Sequence, residues 1–311
     1  KPDVFTPFDL SQESHTDLLW VFEGVTSYYD DLALVRSGMI EMDSYLELLG
    51  QTITRVNRSG GRRKQSVADS SFDAWTKFYK QDANAANAII SYYAKGALIA
   101  LALDLKLRAE TGGNCTLDDV MQEAWRRWGE TGEGMPEDGF EKLSAEVSGL
   151  DLEDFFDATV RGTGELPLET LLKTHGISYH LRCSAGGEDK GGKAKSDSAL
   201  PAVWLGAVLG NRNGSPVFST VHNGGPAELA GIAPGDELVA LDGLRISLAG
   251  CEARTRRYHV GDTSDVTVFR GDELMTLRLK WAAAPTDTCY LTADSDADDD
   301  VMSRRAAWLA R

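Results

Sequence analysis

The apolar pattern changes period near residue 183, and this change restricts the possible folds more than any other feature of the chain. Before it, apolar residues recur at helical spacing, most clearly in "NAIISYYAKGALIALALDLKLRAETGG", which ends at Gly112 and Gly113. After it, short β-type runs alternate with turn signals: "AVWLGAVLG", "SPVFSTVH", "DELVALDG", "SDVTVFRGD" and "LMTLRLKW". Between them "CSAGGEDKGGKAKSDSA" is rich in Gly, Ser and Lys and reads as a flexible linker or exposed hairpin tip. The expectation is an α + β chain in successive pieces. Residues 1–180 form a helical domain, 181–199 the linker or hairpin, 200–282 a small β domain, and 283–311 an acidic linker with a terminal helix.

Within the helical part, "SHTD" (Ser14–Asp17) has the form of a capping box ahead of "LLWVFEG", with a helix running to about Arg36 and stopping at Gly38. Asp43 opens a second helix. Thr116 and Asp119 repeat the capping pattern in "TLDDVMQEAW", and "LDLEDFFDATVRGTGELPLETLLKTHG" reads as two short helices joined by a Gly-rich turn.

The net charge of −16 argues against a nucleic-acid surface and against an anionic membrane face. No apolar run approaches the roughly 20 residues needed to span a bilayer. Cys115, Cys183, Cys251 and Cys289 form no CxxC pair and leave the redox compartment open. The chain starts at Lys1, and "KPDVFTPFDLSQ" reads as an extended approach to a helix, so the natural chain is expected to be longer there. A periplasmic or secreted location is expected in preference to a cytoplasmic one.

Two local penalties stand side by side in "WVFEGVTSYYDD": Glu23, a residue rarely buried unless paired or metal-bound, and Gly24, which costs about 1 kcal/mol in a helix relative to alanine. Asp30 follows Glu23 by seven residues, which puts both carboxylates on one helix face. One helix can present a metal ligand and a supporting acid in this way. An exposed glutamate at the helix edge gives the same sequence. Gly24 leaves room for another helix to approach closely.

"LLWVFEGVTSYYDDLALVRSG" resembles the segment that carries the third zinc ligand in gluzincin metallopeptidases, in particular the M61 or glycyl aminopeptidase family, which is bacterial in type. "AIISYYAKGALIALALDLKLR" is similar to the later segment that holds the family's catalytic tyrosine before a Lys-Gly pair, and "SSFDAWTKFY", "TLDDVMQEAW" and "GTGELPL" also look like M61 sequence. The resemblance covers nearly the whole chain and implies the helical half of a thermolysin-like catalytic domain. By position, Glu23 would ligate zinc, Asp30 would orient a ligand histidine, and Tyr93 would donate to the oxyanion formed when water attacks the scissile carbonyl. Tyr92 is adjacent; on a helix it would point about 100° away, towards core or pocket wall.

The sequence departs from the family in lacking HExxH: none of His15, His175, His180, His222 and His259 forms such a pair. The two histidine ligands are therefore expected upstream of Lys1, in a missing N-terminal part of the same protein, and this chain alone should hold zinc poorly and be inactive. The resemblance implies peptide substrates with a small first residue, Gly or Ala.

"GGPAELAGIAPGDELVALDG" is similar to the core of PDZ domains of the bacterial protease type. Pro226 starts a short helix, Gly231 ends it, and a strand follows into a tight Asp-Gly turn. In the strand "WLGAVLG" (204–210), Leu205 and Gly206 would offer backbone N–H groups to a C-terminal carboxylate. Ala207 and Val208 would begin the pairing edge, and the helix after Ser247 would form the other wall. A PDZ fold used only for internal packing has the same sequence. "GGRRK" and "DSDADDD" read as a solvated loop and a solvated linker. The competing function is a non-enzymatic PDZ scaffold that binds peptides.

Overall fold

The computed structural model describes residues 1–196 and 200–310. A π-helical turn, Trp20–Val25, runs directly into α1 (Thr26–Arg36), and α2 (Met42–Arg58) follows after Gly38 in the left-handed conformation. α3 (Ala94–Glu110) is the axis of the domain: every residue from Ala94 to Leu105 is buried. A helix apolar on nearly all sides must be surrounded, and of its three buried charges, Lys95, Asp104 and Arg108, the last two pair with each other. Asp104 accepts from Arg108 at 3.0 Å, from the Tyr28 hydroxyl at 2.7 Å and from the Leu117 N–H at 2.9 Å. α4 (Leu117–Ala124) begins with the expected reciprocal capping box of Thr116 and Asp119.

The capping box expected at Ser14–Asp17 does not form. Helical structure starts at Trp20, because the local polar groups have distant partners: Thr16 Oγ1 donates to Glu137 at 2.7 Å, and the Trp20 N–H is met by Ser71 Oγ at 3.1 Å. After α5 (Leu168–Thr174) the chain enters β1 (Ile177–Cys183).

The second core belongs to a five-stranded antiparallel sheet of order β2 (Ala207–Arg212), β3 (Ser215–Val221), β4 (Glu237–Leu241), β5 (Thr263–Arg270) and β6 (Glu273–Lys280), with the short strand Leu244–Arg245 beside β4. Asp242 and Gly243 both take positive φ in the tight turn after β4. Helix α6 (Leu248–Thr255) begins at Ser247, whose side chain caps the Gly250 N–H. Phe218, Val268, Leu279 and Trp281 fill the interior.

The chain then returns. β7 (Thr286–Ala293) pairs antiparallel with β1, from Ile177 opposite Ala293 to Cys183 opposite Thr286. α2 packs beneath it, and Thr54 Oγ1 accepts the Cys289 N–H at 2.8 Å. The final helix α7 (Asp299–Leu309) buries Trp308 completely in the first core, with Nε1 donating to Tyr28 Oη at 2.9 Å and the carbonyl accepting from Arg36. The terminal helix expected within 283–311 is present, but Thr286–Ala293 ahead of it is a strand of the first domain rather than linker, because Cys289, Leu291 and Trp308 supply apolar surface that this core encloses.

The segment 181–199 also departs from the reading as a linker or hairpin. Residues 181–183 belong to β1, and 184–196 form a pinned loop. Arg182 holds the Asp189 carboxylate at 2.5 and 3.0 Å, and Arg58 donates to the Asp189 carbonyl at 2.7 Å. Residues 197–199 lie outside the described residues.

Candidate functional site

Glu23 stands on the π-helical turn, a geometry often found at functional sites. Gly24 explains why this turn sits where it does. A Cβ on Gly24 would lie 2.7 Å from the Gly96 backbone, and one on Gly96 would lie 3.0 Å from Gly24 Cα and 3.1 Å from the Trp20 carbonyl oxygen. The π turn and the start of α3 therefore touch backbone to backbone, which needs glycine on both sides. The contact brings Glu23 beside the Tyr92–Tyr93 turn, close enough for its charge to act on the Tyr93 phenol.

Glu23 is half-buried and makes no side-chain hydrogen bond or ion pair with any described residue. Such a carboxylate is free to take an external partner. Tyr93 is also half-buried, with its ring stacked on Tyr92 at 4.7 Å and its hydroxyl 3.3 Å from that of Tyr79. Burial, the Tyr79 contact and the Glu23 charge push the Tyr93 phenol up to about 12, so it stays protonated and able to donate at neutral pH.

Tyr92 is buried, as expected of a core or wall residue, but it does not diverge from Tyr93 by a helical step. Both residues precede the first turn of α3, and the Tyr92 hydroxyl donates to Tyr79 at 3.1 Å. Three phenols thus meet at Tyr79, a residue that sequence reasoning did not single out although it closes the quoted run "SSFDAWTKFY".

Asp30 is exposed on α1 and makes no hydrogen bond or ion pair with any described residue. The neighbouring tyrosines are structural. Tyr28 donates to Asp104, and Tyr29 donates at 2.6 Å to Asp118, which also holds Arg36. The histidines lie apart: His15 stacks on Phe72 at 4.8 Å, His175 is buried beside Trp308, and His222 stacks on Trp204. Among the described residues no three His, Cys, Asp or Glu side chains are grouped as a metal would need. The residues present therefore do not themselves fit a complete zinc site.

The second candidate site is the edge of the small sheet. β2 pairs with β3 on one side and, among the described residues, leaves its other edge open, with α6 alongside. The strand starts at Ala207 rather than Trp204, because Gly206 has a φ of +76° and turns the chain. A side chain on Gly206 would also strike Pro226 at 2.7 Å. The carbonyls of Leu205 and Gly206 are taken by Ala227 and His222, while neither N–H has a partner among the described residues. Val208 is exposed on the open edge. The other wall is anchored: Glu252 on α6 accepts the Gly187 N–H at 2.8 Å.

Residues 1–99 match the family model of the M61 glycyl aminopeptidase, and residues 203–281 match that of the PDZ domain. Comparison with curated proteins gives no match. A crystal structure of an aminopeptidase N family protein from Idiomarina loihiensis is 38% identical with a TM-score of 0.92, and the match covers 100% of this chain and 52% of that one. This chain thus spans about half the length of that relative. An HtrA-type protease with decapeptide matches over 27% of this chain and 30% of its own, at 21% identity and a TM-score of 0.26. A serine endoprotease from Yersinia pestis matches over 29% and 32%, at 18% identity and a TM-score of 0.26. No helix among the described residues is long and apolar enough to cross a membrane. Residues 1–99 are thus similar to the M61 glycyl aminopeptidase family, and residues 203–281 form a PDZ domain.

Proposed function

We propose that this chain is the part of a zinc aminopeptidase that supplies one metal ligand, Glu23, and one oxyanion donor, Tyr93, for removing small N-terminal residues such as Gly or Ala from peptides. The observation that carries the reading is the Gly24–Gly96 contact, which sets an unpartnered carboxylate beside a phenol held protonated. Zinc, when bound, would polarise the scissile carbonyl and activate water. The chain's own contribution is to hold Tyr93 with its hydroxyl proton available, steadied by Tyr79. Two histidine ligands are assigned to the part of the protein that precedes Lys1, and Asp30 to orienting one of them through a contact completed in the whole protein.

The expected result in the full-length protein is that Glu23→Gln loses most bound zinc and nearly all aminopeptidase activity, read by metal analysis and release of glycine from peptides. Alone, the 311-residue chain should bind zinc weakly. Micromolar zinc binding by this chain that vanishes with Glu23→Gln would overturn the shared-site reading.

A second reading, a peptide-binding scaffold without catalysis, is favoured by the open β2 edge and the unpartnered N–H groups of Leu205 and Gly206. Peptide binding there is common to both readings. A peptide with a free C-terminus is expected to shift the amide resonances of Leu205–Val208, and amidation of its end should weaken binding about tenfold, the effect of losing a charge-assisted hydrogen bond. Equal binding of both peptides would remove the carboxylate loop from the account.

A further inference from the structure

We propose that a cavity between α2, α3 and the segment leading into α5 binds a small zwitterionic amino acid, its carboxylate toward Lys95 and its ammonium toward Glu169. The cavity has a volume of about 160 Å³. That is close to the roughly 150 Å³ of a cavity known to hold benzene, so it suits a ligand of about six heavy atoms, the size of alanine.

The charges select the ligand class. Lys95 lines the cavity, is only 2% exposed, and its Nζ has no hydrogen-bond partner among the described residues. An unpaired buried ammonium is costly, and an incoming carboxylate would offset that cost. Tyr179 borders the same space, with its Oη accepting from Asn57 Nδ2 at 3.2 Å. Val56, Leu98 and Leu168 form the apolar wall.

Glu165 and Glu169 are exposed and also line the cavity. Glu165 is held by Arg62 at 2.7 Å, whereas Glu169 makes no ion pair among the described residues. The lining carries two positive and two negative side chains. A bare anion would meet both carboxylates and a bare cation would meet the buried ammonium. A zwitterion satisfies both ends. This inference does not depend on catalysis and stands or falls separately from the zinc site.

The test is calorimetric titration of the full chain with L-alanine, and with acetate and ethylammonium as probes for each half of the ligand. Alanine is expected to bind with one-to-one saturation, each half-ligand about tenfold more weakly, as befits loss of a charged hydrogen bond. Lys95→Met should abolish binding. Glu169→Gln should weaken it about tenfold while leaving the unliganded melting temperature unchanged, because the side chain is exposed. Absence of saturable alanine binding would overturn the proposal. So would undiminished binding by folded Lys95→Met, or acetate binding as tightly as alanine.

Discussion

On the role proposed for Tyr93, Tyr93→Phe in the full-length protein should lower kcat by about 10²–10³ while leaving zinc content unchanged, because removing one oxyanion donor has an effect of that order. The substitution keeps the ring that stacks on Tyr92 and removes only the hydroxyl. Tyr92→Phe should be much milder in rate, since its hydroxyl is buried and already donates to Tyr79. Tyr79→Phe should fall between the two, because it loosens the Tyr93 hydroxyl without removing it. A crippled Tyr92→Phe beside a mild Tyr93→Phe would exchange their roles.

Trp308→Ala should destabilise the first domain by about 3–5 kcal/mol, the range for truncating a buried tryptophan. Trp308 is fully buried, packs edge-on to Tyr45 with centroids 5.8 Å apart, and donates to the Tyr28 hydroxyl that Asp104 holds. Its loss leaves a cavity and breaks a link in a buried polar chain. Urea unfolding followed by far-ultraviolet circular dichroism gives the value. The PDZ core contains its own tryptophan, Trp281, and should unfold as before. A loss below about 1 kcal/mol, the scale of a surface change, would mean that the terminal helix only rests on the domain.

Features settled by nearby residues could be read from the sequence. The Thr116–Asp119 box is such a case, since both partners lie within one turn. So are the Asp242–Gly243 turn and the start of the short PDZ helix at Pro226. The Ser14 box had the same signature and failed, because Thr16 finds Glu137 across 121 residues. Nothing local reports such a competitor. Gly24 was legible as room for a close approach, but its partner Gly96 was not. Tyr79 lay in a run whose likeness to the family was visible while its role was not, since its meeting with Tyr92 and Tyr93 is created by folding. The strand "TDTCYLTA" turns Cys289 and Leu291 inward, yet its partner β1 lies about a hundred residues earlier, and no local signal reports that pairing.

The pairing of β1 with β7 has a topological consequence. Cys183 and Thr286 are neighbours across the ladder, so the chain leaves the peptidase half and re-enters it at one point. For that half, everything between these residues amounts to one very long hairpin turn. The entropy of closing such a turn grows only with the logarithm of its length. The PDZ module can therefore be shortened, replaced or gained by simple insertion at a single place, with no rethreading of the helices around α3. A tandem arrangement of two beads on a string would not explain why the last helix belongs to the first domain. An insertion does.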